Sequence, residues 1–199
     1  MLTPKTPVRF VEDLYKGTGV LAKRFGVSIV GGDTVRSDKI VVNVALLGEV
    51  EKKYLVTRSG AKAGDWVFVT GPLGRSLKTG KHLTFTPRVE EARFLVKQFK
   101  PSAMMDISDG LAGDLNHILK ASKVGVRLWE DAVPRTKGAT LAQALSDGED
   151  FELLFTLGEQ QAMHLLKYQN KRREWFFYPI GEIITDRKAI IRAKSYTHF

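Results

Sequence analysis

Three segments of the sequence place acidic side chains beside glycine. They are residues 31–34 (Gly-Gly-Asp-Thr), 106–110 (Asp-Ile-Ser-Asp-Gly) and 148–152 (Gly-Glu-Asp-Phe-Glu). Each adjoins the end of a predicted strand, where glycine permits a tight turn. Carboxylates in such turns are hard oxygen ligands, and Mg²⁺ is often held by one or two of them together with substrate phosphates. The pattern indicates phosphate chemistry as one possibility and plain turns as the other.

The middle segment offers the densest set of ligands. Asp106 and Asp109 lie three residues apart across a predicted strand-to-helix junction, so both carboxylates and the Ser108 hydroxyl can converge on one point. The helix that follows presents backbone N–H groups to an anion at its N-terminus. The alternative is that Ser108 or Asp109 only caps that helix, which spacing alone favours, and both roles are compatible.

Each of the other candidate residues has a simple structural interpretation as well as a functional one. Asp33 suits a turn, although the adjoining glycines also permit close approach of a phosphate. Residues 71–74 (Gly-Pro-Leu-Gly) follow a predicted strand and could cradle a phosphate, but they lack the Gly-Lys-Ser/Thr ending of a P-loop. Arg58, near a glycine, is either a phosphate ligand or a solvated surface residue. Glu149 and Asp150 could equally form a solvated turn.

The composition narrows the function classes. The chain has 199 residues and no cysteine, which excludes disulfide frameworks, cysteine nucleophiles and thiolate metal sites. No apolar run is long enough to cross a membrane and no apolar signal core opens the chain, so we expect a cytoplasmic protein without membrane contact. The net charge of +9 favours anionic partners, either phosphorylated small molecules or, as a separate hypothesis, nucleic acid.

Hydrophobic periodicity predicts alternating helices and strands after residue 52. This alternation indicates a layered α/β or α+β domain at residues 52–199, preceded by a partial domain at residues 1–51. The predicted helices are 8–25, 87–99, 111–122, 140–145 and 160–168. The predicted strands are 27–30, 40–50, 66–70, 103–107, 124–129, 151–156, 175–184 and 189–191.

Taken in order, the motifs resemble the C-terminal part of the thiamine-monophosphate kinase family, which belongs to the superfamily of aminoimidazole-ribonucleotide synthetase and selenophosphate synthetase. The resemblance runs over nearly the whole chain. It rests on residues 31–34, 58–61, 64–65, 69–74, 87–89, 105–111, 148–153 and 196–199.

The resemblance implies a set of site residues. Asp33, Asp106 and Asp109 would be Mg²⁺ ligands. Glu149 and an aromatic residue of the last segment, Tyr196 or Phe199, would hold the thiamine moiety. The contacts to ATP would come from Tyr15, Gly32, Asp33, Arg58 and Ser108.

The activity implied is ATP-dependent phosphorylation of thiamine monophosphate to thiamine diphosphate, a step of thiamine biosynthesis. The acceptor is a phosphate oxygen that is already ionised at neutral pH, so no catalytic base is named, and nucleic acid is not an expected partner. Two positions depart from the family pattern: Asp147 stands where a glycine is usual, and Phe151 where a tyrosine is usual. Asp147 would be strained if that backbone required a positive φ.

The family also begins further upstream, with more Mg²⁺ ligands and a domain that pairs into a homodimer. Residues 1–51 would be the remnant of that ATP-binding and dimerisation domain, with strands that lack partners. We therefore expect a fragment, a truncated product, or a chain that works with a separate N-terminal half. The alternative function is a non-catalytic module that binds nucleotide or thiamine phosphate, or a partner-dependent subunit.

Overall fold

The computed structural model describes residues 1–172 and 174–187. The chain divides into two compact units, Met1–Glu49 and Val50–Phe199. Within the described ranges, no helix combines the length and the apolar character needed to cross a bilayer.

The first unit contains one long helix, α1 (Val8–Phe25), with the predicted bounds. Gly26 ends it in the left-handed conformation with φ of 65°, and its N–H is donated to the carbonyl groups of Ala22 and Lys23. A residue with no Cβ adopts this conformation without the steric cost that other residues incur. The helix and its predicted stop are confirmed.

The two strands predicted in the first unit, 27–30 and 40–50, are wrong. The described residues of this unit form only an isolated bridge between Leu2 and Arg36, and the apolar side chains of the second segment are exposed, Leu47 to 98%. A strand needs a neighbouring backbone to pair its N–H and C=O groups. Val41 exchanges backbone hydrogen bonds with Met1, at 3.1 Å and 2.8 Å, but this single pair does not extend into a ladder along residues 40–50.

The second unit is built on a five-stranded sheet in the order β2-β4-β1-β5-β3. All four pairings are antiparallel. The strands are β1 (Trp66–Val69), β2 (Ala103–Asp106), β3 (Gly125–Leu128), β4 (Leu153–Leu157) and β5 (Tyr178–Ile184). The predicted strand 189–191 lies outside the described residues.

Helices cover both faces of this sheet. They are α2 (Ser76–Thr79), α3 (Lys81–Thr84), α4 (Val89–Gln98), α5 (Leu111–Ser122), α6 (Leu141–Ser146) and α7 (Glu159–Arg172), and short 3₁₀ turns occupy Lys52–Tyr54 and Glu130–Ala132. The short helices α2 and α3 were not predicted. The layered fold class is confirmed.

The alternation of side chains along β1 separates the core into two clusters. Val67 and Val69 pack with the apolar face of α5 and with α6, whereas Phe68 points to the opposite face and packs with α4 and α7. Phe68 stacks on Phe155 at 5.3 Å between ring centroids. Because successive residues of a strand face opposite sides, one short strand serves both layers.

Candidate metal and phosphate site

Sheet pairing brings two of the acidic turns together. β2 ends at Asp106, which is paired with Leu153 at the start of β4. The chain therefore leaves β2 and enters β4 at the same end of these two strands. The backbone continues the pairing beyond the strands: Glu149 N–H is donated to the carbonyl of Ser108 at 2.7 Å, and Phe151 N–H to that of Ile107 at 2.8 Å. Residues 106–110 and 148–152 therefore form one double loop, which places Glu149 beside the predicted metal turn.

A buried carboxylate shapes the metal turn. Asp114, in the first turn of α5, accepts the N–H groups of Ser108 and Asp109 through Oδ2, both at 3.0 Å. The cap position of α5 is Gly110, with no side-chain cap hydrogen bond, so neither Ser108 nor Asp109 caps the helix. The capping alternative is thus wrong. Burial raises the pKa of Asp114 to about 6, against the lowering effect of the N–H groups it accepts.

The donor set of this turn fits a hard cation. Asp106 is exposed and Asp109 half-buried, so the first carboxylate faces solvent and the second is partly open to it. Asp109, Asp114 and His117 each offer one ligand atom within 4.8 Å of the others. Carboxylate oxygens suit Mg²⁺, while the imidazole would suit a transition metal better. Asp114 was missed from the sequence as a member of this cluster.

The second loop has an unusual backbone. Gly148, Glu149 and Phe151 all have positive φ, of 69°, 57° and 52°. For a residue with a Cβ, this region costs about 1–2 kcal/mol. Asp147, by contrast, has φ of −67°, so the strain considered for this departure from the family pattern does not arise.

Two buried carboxylates of this loop hold it in place. Asp150 and Glu152 alternate with the half-buried Glu149 and Phe151, and their exposures are 0% and 1%. Asp150 Oδ2 accepts the N–H of Gly74 at 2.8 Å. The loop is therefore anchored by every second residue, and the residues between the anchors remain partly accessible.

The hypothesis that residues 71–74 cradle a phosphate is not supported. The N–H of Gly74 is donated to Asp150, and the next N–H, that of Arg75, to Asp147 Oδ2 at 2.9 Å. Carboxylates of this chain thus occupy the donors that a phosphate would need. Gly71 has a different role: a Cβ there would lie 2.6 Å from Glu152 Oε1, so its absence makes room for that carboxylate.

Glu152 is the centre of a buried ionic network. Arg88 donates to it through Nε at 2.8 Å and Nη2 at 3.1 Å, Lys81 Nζ at 2.9 Å and Thr70 Oγ1 at 2.7 Å. Burial alone would raise the pKa of Glu152, but the hydrogen bonds from Arg88 and Lys81 outweigh it and lower the pKa below its ordinary value. The carboxylate is therefore ionised and fully paired.

Asp150 is in the opposite situation. Burial raises its pKa to about 6, although the N–H of Gly74 and the charge of Lys81 act against this shift. Lys81 Nζ lies 3.8 Å from Asp150 Oδ1, an oxygen with no hydrogen-bond partner among the described residues. Lys81 thus binds Glu152 closely and Asp150 only weakly.

The remaining predicted site residues fall into three groups. In the first unit, Tyr15 and Gly32 are neighbours, since a Cβ on Gly32 would lie 3.5 Å from the Tyr15 hydroxyl oxygen. Asp33, in the same unit, is exposed and accepts the N–H of Thr34 through Oδ1 at 2.7 Å. This contact is consistent with the predicted turn. Arg58 is exposed in the second unit. Tyr196 and Phe199 lie outside the described residues.

Comparison with protein families agrees with this architecture. Residues 62–194 match the family described as AIR synthase related protein, C-terminal domain, and residues 1–50 match AIR synthase related protein, N-terminal domain. The chain belongs to this family. The superfamily resemblance stated from the motifs is thereby confirmed.

Curated relatives of this chain include thiamine-monophosphate kinases. The enzyme of Rhodopirellula baltica is 38% identical over 81% of the chain, and the enzyme of Bacillus subtilis is 32% identical over 95%. The chain spans 54% of the length of the first and 70% of the second. These matches confirm the thiamine-monophosphate kinase resemblance.

Solved structures share the fold of this chain. Thiamine monophosphate kinase from Aquifex aeolicus superposes with a TM-score of 0.74 at 27% identity, over 92% of the chain and 68% of that protein. AaThiL complexed with AMPPCP and TMP superposes with a TM-score of 0.78 over the whole chain and 71% of that protein, at 24% identity. The E. coli hydrogenase maturation protein HypE gives 0.74 at 17% identity, which shows a shared fold only.

Proposed function

We propose that this chain carries out, or contributes to, the ATP-dependent phosphorylation of thiamine monophosphate to thiamine diphosphate in the cytoplasm. The observation that carries the proposal is the double loop, where Asp106, Ser108 and Asp109 meet the turn of Glu149. Support comes from the similarity to thiamine-monophosphate kinases and from the likeness to AaThiL, which was solved in complex with AMPPCP and TMP.

The residues divide between three tasks. Asp33, Asp106 and Asp109 would hold Mg²⁺, which when bound neutralises and aligns the phosphates. Glu149 would hold the thiamine moiety together with Tyr196 or Phe199. The contacts to the nucleotide would come from Tyr15, Gly32, Asp33, Arg58 and Ser108.

Phosphoryl transfer depends mainly on positioning and on neutralising charge. The acceptor phosphate oxygen carries its own negative charge, so the chain needs to orient it rather than deprotonate it. Asp114 would contribute to this positioning indirectly. It accepts two N–H groups of the metal turn and so holds the backbone of that turn in place. No residue of this chain is assigned as a general base.

Residues 1–51 belong, in this proposal, to an ATP-binding and dimerisation domain, and residues 52–199 to the substrate-side domain. The exposed apolar side chains of the first unit support the assignment, since Val30 is 90% and Leu47 98% exposed. A second copy of the chain or a separate N-terminal half would complete that domain. Sedimentation of the purified chain, alone and with the N-terminal half of a relative, measures which partner is taken.

The decisive experiment is a turnover assay of the purified chain with ATP, Mg²⁺ and thiamine monophosphate, following thiamine diphosphate. Asp106→Asn and Asp109→Asn should lower Mg²⁺-dependent nucleotide binding and turnover at least tenfold while leaving the fold intact. Asp131→Asn is the matched control, because this exposed carboxylate follows β3 at the opposite edge of the sheet. Equal Mg²⁺-dependent affinity in all variants would refute the metal assignment, and binding without turnover would favour the non-catalytic module.

A further inference from the structure

One phenylalanine of the double loop and a second phenylalanine just after α3 form an aromatic pair that has no role in the proposed function so far. The rings of Phe85, directly after α3, and Phe151, two residues after Glu149, are stacked with centroids 4.3 Å apart and planes inclined by 20°. Neither ring belongs to the two core clusters, and Phe85 is 36% exposed. The pair thus lies outside the core, and both rings keep part of their apolar surface accessible to solvent.

The backbone of Phe151 is held in a conformation that aromatic residues avoid. Its φ is 52°, and its N–H is donated to the carbonyl of Ile107. The buried carboxylates of Asp150 and Glu152 fix it from both sides. Backbone strain that the surroundings enforce in this way concentrates at ligand-binding positions. The backbone position from which this side chain leaves the loop is therefore set by the surroundings rather than by the intrinsic preference of the residue.

The charge beside the pair completes the pattern. Glu149 is half-buried, precedes Phe151 by two residues, and donates its N–H to Ser108 of the metal turn. Aromatic faces attract flat rings and cations, and a neighbouring carboxylate attracts a cation further. We propose that Phe85 and Phe151 form a platform on which a flat, positively charged heteroaromatic ring of the phosphorylated substrate stacks, with Glu149 as its counter-charge.

This inference rests on the proposed function for the identity of the ligand, since the thiazolium and aminopyrimidine rings of thiamine monophosphate have this chemistry. It adds two residues that determine specificity. It also explains why phenylalanine at position 151 can replace the tyrosine usual in the family, because stacking uses the ring and not the hydroxyl group.

The test measures binding without turnover. Thiamine monophosphate and, separately, Mg²⁺-ATP are titrated calorimetrically into the full chain and into Phe85→Leu and Phe151→Leu. Leucine keeps apolar volume but removes the ring. We expect the Kd for thiamine monophosphate to rise about tenfold in each variant, as loss of one stacking contact would give, while the Kd for Mg²⁺-ATP stays unchanged. Phe151→Tyr should bind as wild type.

Controls separate recognition from folding. Phe176→Leu removes a phenylalanine that is 53% exposed but outside the pair, and it should leave both affinities unchanged. Thiamine monophosphate affinity that is unchanged in both leucine variants, or no binding by the wild-type chain, would overturn the platform. A wild-type chain that binds but does not phosphorylate, with weakened leucine variants, would refute the catalytic proposal and uphold the platform.

Discussion

The buried network around Glu152 makes Arg88→Met the most informative single change. The guanidinium supplies two of the four hydrogen bonds to a carboxylate that is 1% exposed; Lys81 and Thr70 supply the others. Methionine retains much of the apolar stem but none of the donors. The substitution therefore leaves a buried anion half-paired, without opening a large cavity.

The expected loss of stability follows from those contacts. A hydrogen bond to a charged group contributes about 1.5–3 kcal/mol, so two of them give about 3–6 kcal/mol. The Arg88 side chain is 32% exposed, so water can replace part of the loss. We expect Arg88→Met to lower the free energy of unfolding by about 3 kcal/mol at pH 7.5, at the low end of the values for breaking a buried ion pair.

The pH dependence provides a second test with a definite sign. In the wild type the pKa of Glu152 lies below its ordinary value of 4.5, so its contribution is present above that pH and is lost as the pH falls through the folded-state pKa. In the variant, burial persists while the strongest donors are gone, so the pKa of Glu152 rises and mild acid neutralises it. The stability difference should be largest near pH 7.5 and shrink toward pH 4.

Urea unfolding followed by tryptophan fluorescence measures this stability difference in the second unit of the chain, which contains the network. All three tryptophans, at positions 66, 129 and 175, lie in the second unit. Arg93→Met, at an exposed position of α4, the helix that begins directly after Arg88, should change stability by less than about 0.5 kcal/mol. A loss of unfolding free energy in Arg88→Met no greater than that in Arg93→Met would refute this account of the network. So would a loss that does not become smaller as the pH is lowered from 7.5 toward 4. Adding Glu152→Gln to Arg88→Met should recover part of the loss.

Three further changes test other contacts. Gly71→Ala should destabilise by about 2 kcal/mol in urea unfolding, because its Cβ would lie 2.6 Å from Glu152, whereas Gly158→Ala, with 3.7 Å to its nearest neighbour, should cost less. Asp150→Asn should become more stable relative to wild type as the pH rises from 4 to 7, since a folded-state pKa of about 6, above the ordinary 3.8, means that ionisation opposes folding; parallel pH curves would contradict this. Thr140→Ala should cost about 1 kcal/mol by removing the capping box of α6, and an unchanged urea midpoint would count against that cap.

Periodicity in the sequence was sufficient for most of the second unit. The apolar stripe of α5 through Leu111, Leu115 and Ile118 and the alternation along β1 both point to the core. Glycine also predicted where a helix ends, since α1 stops at Gly26. These features depend on neighbours in sequence, which is why single-chain patterns predict them.

The site required information that local patterns do not contain. Residues 106–110 and 148–152 join because β2 pairs with β4, a contact across a long separation in sequence. The predicted strand 151–156 begins instead at Leu153, because the residues before it form the loop with positive φ. The acidic motifs were recognised separately, and only the sheet register shows that two of them form one loop.

The sequence also contains a signal for the structural role of Asp114. Asp114 is three residues after Leu111 and four before Ile118, so it lies on the apolar stripe of the predicted helix. An acidic residue there must be buried, and a buried carboxylate needs donors. The nearest donors are the N–H groups of the preceding turn, which are the ones it accepts. A charge on an apolar face therefore predicts a structural role for the turn beside it.

The strained loop and the ionic network are of comparable energy, and this links folding to function. Glu149 and Phe151 in the left-handed region cost together about 2–4 kcal/mol. The two hydrogen bonds from Arg88 to Glu152 contribute about 3 kcal/mol, because water can replace part of their strength at the partly exposed guanidinium. Without them, relaxation of the loop to ordinary φ values becomes competitive with the strained form. We therefore expect the loss of Arg88 to weaken the ligand contacts proposed for Glu149 and Phe151, even where the sheet remains folded.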